Sequence, residues 1–285
     1  MITLPPIDIE QVYRKIVLSL RRFFNDAGTD KAVVGLSGGI DSAVVMALAC
    51  QALGKDNVHG ILMPSPFSTL HSISDAVDLA DNLQASYTII PIEKIYQKFI
   101  RETETFFNED HTWSVTEENI QARIRGVILM AYSNEKRALV LNTSNKSEIS
   151  VGYGTLYGDL CGALMVLADL YKLQVYNLAA YINRNQIVIP KSIIIKPPSA
   201  ELKPEQKDTD SLPEYSLLDP ILYALHEDGK RPEELITEGI DNELIDRIMY
   251  LKKGSAFKVH QIPPILQIGE KPLGNSNKWI KFDLP

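Results

Sequence analysis

The segment SGGIDS, at residues 37–42, carries residue types suited to holding phosphate. Its two glycines lack a Cβ, so the backbone can turn sharply and approach a ligand closely. A helix is predicted to begin within the segment, and the free N–H groups and positive dipole end of a helix N-terminus favour phosphate. The two serines add hydroxyl donors. Asp41 would repel phosphate unless a cation lay between them, so we interpret this carboxylate as a Mg²⁺ ligand.

Strands and helices alternate along the chain on both sides of this segment. Predicted strands cover residues 32–37, 59–64, 87–92 and 138–142, and a further strand is expected near Ile187. Predicted helices cover residues 8–25, 41–53, 74–83, 93–107, 116–133 and 172–183, with short helices at 232–238 and 242–253. This spacing predicts βαβ units and a parallel sheet. The strands lack polar alternation, which indicates helices on both faces, so the predicted fold class is α/β with a doubly wound parallel sheet.

The sequence changes in character after residue 195. Residues 196–216 are rich in proline and charge and show no periodicity, which is typical of a functional loop or a disordered segment. We therefore expect one domain over residues 1–285, with a core at about 8–195, a mobile loop at about 196–216 and a helical or irregular segment at 217–285.

The composition argues against several classes of protein. A formal net charge of −7 disfavours a nucleic-acid partner, because backbone binding needs clustered Lys and Arg. Two cysteines cannot form a disulfide framework, and the five histidines show no metal spacing. We find no secretory signal, and no apolar run approaches the roughly 18 residues needed to cross a bilayer. We therefore expect a cytoplasmic protein with no membrane partner.

The loop at residues 37–42 is not a Walker loop, because the G-x-x-x-x-G-K-[ST] pattern is absent. It resembles the pyrophosphate loop of the ATP pyrophosphatases, enzymes that cleave ATP to AMP and pyrophosphate. A plain strand-to-helix turn is the alternative, since Gly-Gly and a capping Asp are common in such turns.

Five further segments discriminate among the ATP pyrophosphatases, which include GMP, argininosuccinate and asparagine synthetases and tRNA-thiolating enzymes. They resemble segments of NAD synthetases and follow in that family's order. They are ENIQARIR at 118–125, NTSNKSE at 142–148, TLYGD at 155–159, DLYK at 169–172 and KPPSAEL at 196–202. The resemblance runs from about Val12 to Pro264, nearly the whole chain.

This resemblance implies a C–N ligase with a Rossmann-like fold of the adenine nucleotide alpha hydrolase type. The enzyme would use ATP to adenylate the carboxylate of nicotinic acid adenine dinucleotide (deamido-NAD). Ammonia would then form the amide, giving NAD, AMP and pyrophosphate in the last step of NAD biosynthesis. Mg²⁺ is the implied cofactor. The family also implies a homodimer, for which the helices predicted at 8–25 and 116–133 are candidate interfaces, although apolar helix faces are more often intramolecular core.

The resemblance also carries over a set of site residues. Asp41 and Lys172 are predicted to be catalytic, and Asp41 and Glu148 to be metal ligands. The predicted ATP-binding residues are Gly35, Leu36, Ser37, Gly38, Gly39, Ile40, Asp41, Ser42, Thr143, Lys172 and Ser199. The predicted deamido-NAD-binding residues are Asn119, Arg123, Glu148, Leu156, Tyr157, Asp159 and Lys258. Positioning and charge neutralisation should supply most of the catalysis.

Several of these residues also have a structural interpretation. Arg123 and Arg125 could form a solvated helix face, and Glu148 could cap a short helix. Lys172 could lie on the surface, as most lysines do. The functional interpretation is favoured because the residues cluster after strand C-termini, where open α/β sheets bind ligands.

The sequence departs from the family pattern at several positions. Small ammonia-dependent members carry a Lys and an Asp that contact the substrate where this chain has Leu156 and Ala163. Their C-terminal His-Lys pair corresponds here to Lys258 and Val259. Residues 63–66 and 155–159 resemble instead the synthetase domain of glutamine-dependent enzymes. The chain has no room for their glutaminase domain, so we expect it to use free ammonia or ammonia from a separate glutaminase.

Two other functions stay open. A tRNA-thiolating enzyme would need a catalytic cysteine pair and a basic surface, which the composition does not supply convincingly. A nucleotide sensor would bind ATP without turnover, and it leaves the KPPSAEL segment unexplained.

Overall fold

A computed structural model describes residues 2–107, 111–273 and 279–282. The strands are β1 (Ala32–Gly35), β2 (Val58–Leu62), β3 (Ser86–Ile89), β4 (Leu139–Asn142), β5 (Leu164–Met165), β6 (Ile265–Leu266) and β7 (Trp279–Ile280). The first helices are α1 (Ile9–Asp26), α2 (Ile40–Leu53), α3 (Leu70–Leu83), α4 (Glu93–Thr103), α5 (Val115–Lys136) and α6 (Lys146–Val151). The later ones are α7 (Lys172–Ile182), α8 (Lys191–Ile195), α9 (Tyr215–His226), α10 (Pro232–Thr237) and α11 (Asn242–Ser255).

The strands of the described residues form one parallel sheet in the order β3-β2-β1-β4-β5-β6-β7. The chain builds outward from β1 in one direction and from β4 in the other, so the strand order reverses between these two strands. The predicted doubly wound parallel α/β fold is thus confirmed. Ligands bind such sheets beyond the carboxyl ends of the strands at this reversal.

Apolar clusters lie on both faces of the sheet because neighbouring residues of a strand point to opposite sides. On one face α2, which is apolar all round and almost wholly buried, packs against Ile16 and Leu20 of α1. A helix of this composition is typical of an enclosed position. On the other face Val33 of β1 packs with Ile124 and Leu129 of α5. The apolar side of α1 is therefore part of the intramolecular core.

The C-terminal helices form an apolar cluster of their own. Leu218 and Leu222 of α9 pack with Ile245 and Ile248 of α11, and Val151 at the end of α6 joins them. This layer holds α9 against α6 and α7, two helices whose N-termini carry predicted site residues.

The strand predicted near Ile187 is wrong. Residues 183–190 have no regular structure, although Ile189 is fully buried. The side chain of Asn183 accepts hydrogen bonds from the backbone N–H groups of Val188 (2.9 Å) and Ile189 (2.8 Å). These are groups that a strand would pair with a neighbouring strand. The next strand of the sheet after β4 is instead β5.

Other boundaries differ by a few residues. The helix predicted at 74–83 begins at Leu70, because the side chain of Thr69 caps it by accepting from the Ser72 N–H. The helix predicted at 93–107 ends at Thr103 and continues as a 3₁₀ turn. Within the predicted segment 217–285, residues 274–278 and 283–285 lie outside the described part. No helix among the described residues is long and apolar enough to cross a membrane.

Candidate functional site

The predicted phosphate loop connects β1 to α2 at the reversal of the strand order. Gly39 is the N-cap of α2, and its N–H donates to the Ser37 hydroxyl (3.1 Å) while its carbonyl accepts from the Ser42 hydroxyl (3.0 Å). Gly38 has a φ of +77°, and a Cβ there would lie 2.2 Å from the carbonyl oxygen of Ser72 on α3. Only glycine meets both conditions, so the loop is shaped by its own hydroxyls and by close contact with α3.

Three helix N-termini bring two carboxylates and one ammonium group together beside this loop. The Nζ of Lys172, the first residue of α7, lies 2.5 Å from Oδ2 of Asp41 and 3.3 Å from Oε1 of Glu148. Asp41 lies in the first turn of α2, and its Oδ1 accepts from Nδ2 of Asn145 (2.9 Å). Glu148 closes the capping box of α6 by accepting from the Asn145 N–H. Lys172 is buried, so its predicted alternative as a surface lysine does not hold.

The electrostatics of this cluster reflect three carboxylates near one lysine. Burial raises the pKa of Glu148 to about 8; Lys172 opposes this rise, and the negative charges of Asp41 and Asp208 add to it. Burial disfavours the charged form of Lys172, but Asp41 and Glu148 outweigh it and raise the pKa of the ammonium group. The lysine is therefore charged at neutral pH.

Asp208 belongs to this cluster and was not among the predicted site residues. It lies within residues 196–216 and accepts hydrogen bonds from the hydroxyls of Tyr153 (3.1 Å) and Tyr215 (2.9 Å). Burial raises its pKa, against the opposing charge of Lys172. The sequence signalled only that this stretch is unusual, because Tyr153 and Lys172 come from other segments.

A second unpredicted carboxylate holds the helices that carry the cluster. Asp219 of α9 is fully buried and accepts from the Ser147 hydroxyl (2.5 Å) and the Leu173 N–H (2.8 Å). The same Ser147 hydroxyl accepts from the Lys172 N–H (2.9 Å). Asp219 therefore fixes the first turn of α7 relative to α6, and with it the backbone of Lys172.

A cavity of about 510 Å³ lies beside the cluster and is lined by Asp41, Glu148, Lys172 and Asp208. All predicted ATP-binding residues line it except Gly38. The predicted ATP-binding residues in the cavity wall are Gly35, Leu36, Ser37, Gly39, Ile40, Asp41, Ser42, Thr143, Lys172 and Ser199. Among the residues predicted for deamido-NAD, the cavity is lined by Asn119, Glu148, Asp159 and Lys258.

The predicted substrate residues that line the cavity are tied together by hydrogen bonds. Thr155 donates its N–H to the Asp159 carboxylate (2.6 Å) and its hydroxyl to Asn119 (2.6 Å). The Nζ of Lys258 donates to the carbonyls of Gly152 (2.7 Å) and Gly154 (2.6 Å). Burial raises the pKa of Asp159, although the Thr155 N–H and nearby cations oppose this. This end of the cavity is therefore preformed by the segment 152–159.

Three residues predicted to bind deamido-NAD lie beside the cavity rather than in its wall: Arg123, Leu156 and Tyr157. Arg123 is exposed, and its Nε donates to the Leu156 carbonyl (3.3 Å). Tyr157 is 65% exposed, and its hydroxyl bonds to Gln261. Arg125, two residues from Arg123, lines the cavity instead. Residues two apart on a helix point to different faces, so the alternative in which both arginines form one solvated face does not hold.

Residues 196–206 cover the cavity through contacts with α3 and α5. Oε1 of Glu201 accepts from the hydroxyls of Ser72 (2.5 Å) and Thr69 (3.1 Å), and Oε2 accepts from the Thr69 N–H (3.2 Å). On α5, Nε2 of Gln121 donates to the Leu202 carbonyl (2.8 Å). The N-terminus of α3 thus binds the phosphate loop on one side and this covering segment on the other.

The donor set suits a magnesium ion bound together with phosphate. Asp41 and Glu148 offer the hard carboxylate oxygens that Mg²⁺ prefers. In the described part of the chain, no group of three or more His, Cys, Asp or Glu residues is arranged to hold a metal alone. Phosphate oxygens of a nucleotide would have to complete the coordination.

Comparison with known proteins identifies similar sequences over nearly the whole chain. The family model described as NAD synthase matches residues 12–262. The chain is 46% identical over 273 residues to the glutamine-dependent NAD(+) synthetase of Synechocystis sp., covering 96% of this chain and 49% of that protein. It is 41% identical over 271 residues to the glutamine-dependent NAD(+) synthetase of Thermotoga maritima, covering 94% and 47%. The chain thus spans about half the length of the curated relatives it matches.

Two solved structures are similar over nearly their full length. The NH3-dependent NAD synthetase of Campylobacter jejuni, in complex with the nitrate ion, has a TM-score of 0.72 and 34% identity, covering 92% of this chain and 100% of that chain. The NMN synthetase of Francisella tularensis has a TM-score of 0.77 and 30% identity, covering 89% and 96%.

Proposed function

The chain belongs to the NAD synthase family, and from this we propose that it uses ATP and ammonia to convert the carboxylate of deamido-NAD to the amide of NAD. The observation that supports this most strongly is the Asp41–Lys172–Glu148 cluster, at the end of a phosphate loop and open to a 510 Å³ cavity. The cavity is also lined by Asn119, Asp159 and Lys258, so the cavity has room and polar groups for a second substrate.

The proposed reaction has two steps. A carboxylate oxygen of the dinucleotide attacks the α-phosphorus of ATP, and the bond from that phosphorus to the bridging oxygen breaks, releasing pyrophosphate. Ammonia then attacks the carbonyl carbon of the adenylate, the bond to the AMP oxygen breaks, and the nitrogen loses a proton. Neither step needs a covalent bond to the protein, so the residues act by positioning and by offsetting charge.

The proposal gives roles to several of the predicted residues that line the cavity. The N-terminus of α2 and the hydroxyls of Ser37 and Ser42 would hold the phosphates, and Lys172 would neutralise charge developing at the leaving pyrophosphate. Mg²⁺ bound by Asp41 and Glu148 would offset the remaining phosphate charge. Residues 196–206, through Ser199, would exclude water from the adenylate.

We further propose that the nitrogen donor of this chain is free ammonia. This proposal is supported by the Campylobacter protein, which is named NH3-dependent and is matched over its full length.

A homodimer is part of the proposal. The helix α5 leaves Val127 and Met130 exposed, whereas the apolar face of α1 is buried against α2. Of the two candidate interfaces, α5 is therefore the one that remains available. The two cysteines are free thiols, which fits a reducing compartment such as the cytoplasm.

The test is pyrophosphate release from ATP and Mg²⁺ with and without the acid substrate, with NAD formation scored in parallel. Deamido-NAD and nicotinic acid mononucleotide should be compared, because one structural relative is named NMN synthetase. We expect release that depends on deamido-NAD, with NAD formed from ammonium but not from glutamine. Release with the mononucleotide alone would move the chain to that substrate. No release with either would contradict the proposal and favour a sensor or a thiolating enzyme.

A further inference from the structure

Arg125 is the cation in the cavity wall whose donors are least used by the protein. Its Nε donates to the Met63 carbonyl (3.0 Å), and no other hydrogen bond or ion pair of its guanidinium is found among the described residues. The other cations of the wall are engaged. Lys172 pairs with two carboxylates, Lys196 pairs with Asp75, and Lys258 donates to two carbonyls.

The position of Arg125 is the boundary between the two halves of the site. Met63 directly follows β2 and borders the cavity next to the phosphate loop. The next residue of α5, Gly126, is packed so closely on the opposite segment that a Cβ would lie 2.8 Å from the Tyr157 carbonyl oxygen. Arg125 therefore lies between Met63, to which it donates, and the segment that ends in Asp159, whose carboxylate acts on its charge.

The surroundings of Arg125 disfavour the charged form of its guanidinium group. Burial lowers its pKa to about 10, and the carboxylates of Asp159 and Glu201 only partly offset this. The group stays charged at neutral pH, yet neither carboxylate forms an ion pair with it. A partly buried guanidinium without a bonded anion is stabilised when an anionic ligand arrives.

We propose that Arg125 binds the carboxylate of the acid substrate, the group that is adenylated, and so discriminates the acid from its amide product. This rests on the proposed function. Because Nε is held by Met63, the two Nη groups remain for the substrate. Arginine binds planar carboxylates through two such donors better than lysine does. The phosphates already have the loop, the α2 N-terminus and Lys172. The uncharged amide would lose the charged interaction, which favours product release.

The experiment compares the dissociation constants of deamido-NAD and NAD for the unmodified protein, Arg125→Gln and Arg125→Lys. Loss of a charge-assisted hydrogen bond raises a dissociation constant on the order of 10- to 100-fold. We expect the Gln variant to weaken deamido-NAD binding by that factor and to change NAD binding less than about threefold. The Lys variant should lie between. Arg101→Gln, on the exposed surface of α4, is the matched control and should change neither.

Three outcomes would overturn the inference. Equal weakening of acid and amide would mean that Arg125 acts only by holding Met63. Weakened binding of a non-hydrolysable ATP analogue, with acid binding intact, would assign Arg125 to the nucleotide. Unchanged acid binding in the Gln variant of an active enzyme would leave it without a ligand role. If the unmodified protein shows no pyrophosphate release dependent on an acid substrate, the proposed function itself fails, and this inference fails with it.

Discussion

Lys172 and Asp41 form a partly buried ion pair, with Nζ and Oδ2 2.5 Å apart, although 131 residues separate them in the sequence. Each lies in the first turn of its helix, so the pair joins the N-termini of α7 and α2 beside the phosphate loop. ATP phosphates entering this site meet a lysine that is already paired. We expect the Lys172 ammonium group to shift from the carboxylate to phosphate, which would leave Asp41 able to hold Mg²⁺.

Replacing Asp41 with asparagine should stop adenylation. The change keeps the size of the side chain but removes the charge that would hold the cation, and the loss of one such electrostatic contact lowers rates on the order of 100-fold or more. Pyrophosphate release with deamido-NAD measures this, and a thermal melt checks the fold. Asp78→Asn, at an exposed position of α3, is the control. Release at the rate of the control would remove Asp41 from the catalytic role.

The pH dependence of stability should carry a signature of Asp219. Burial raises its pKa to about 6 in the folded protein, despite the hydrogen bonds from Ser147 and Leu173. The folded state then holds the proton more tightly than the unfolded state, so stability falls as pH rises from about 4 to about 6 and levels off above. A difference of about two pKa units corresponds to about 3 kcal/mol.

Urea unfolding at several pH values, for the unmodified protein and Asp219→Asn, isolates this effect. The difference in the free energy of unfolding between the two should decrease with rising pH and become constant above about pH 7. A difference that does not vary with pH would show that Asp219 keeps an ordinary pKa in the folded state.

Replacing Glu201 with glutamine should loosen the segment over the cavity. The uncharged amide weakens the hydrogen bonds with Thr69 and Ser72. This loss should raise the equilibrium constant for local opening of the segment about tenfold. Limited trypsin cleavage after Lys207 reports this opening. Glu205→Gln, at an exposed position of the same segment, should cleave at the unmodified rate. Equal cleavage rates in the two variants would show that Glu201 does not fasten the segment.

The proposed homodimer should depend on the exposed face of α5. Val127 is 68% exposed, and a glutamate there would place a charge in an apolar interface. Sedimentation should give twice the chain mass of 31.9 kDa for the unmodified protein and the chain mass for Val127→Glu. Leu217→Glu, on the exposed side of α9, should stay dimeric. A Val127→Glu variant that also stays dimeric would place the interface elsewhere.

The sequence predicted the long elements of the fold well. Strands β1 to β4 and helices α1, α2, α5 and α7 lie within a few residues of their predicted bounds. Strands β5 and β6 have two residues each and no detectable period. The helix α9 was missed because it contains Pro220 and follows a proline-rich stretch. Near Ile187 the apolar residues resemble a strand in the sequence, because Ile189 is buried although it pairs with no strand.

The predicted site was most complete where the residues follow strand ends directly. The phosphate loop, Thr143 and Glu148 all reach the cavity because the parallel sheet brings its carboxyl edges together. The sequence did not predict Asp208, Asp219 and Arg125 as site residues, because their placement depends on contacts between segments far apart in the sequence. Arg123 lies outside the cavity wall, and its role stays a prediction.

Ser72 contacts Gly38 of the phosphate loop through its carbonyl and Glu201 of the covering segment through its hydroxyl. One turn of α3 is therefore a shared support for the two. If bound phosphate favours the position of this turn that Glu201 also prefers, closure and nucleotide affinity become linked. By thermodynamic reciprocity, bound nucleotide favours the closed position of the covering segment by the same factor by which that closed position increases the affinity for nucleotide. A change at Glu201, which lies in another segment of the chain, would then alter the affinity for ATP.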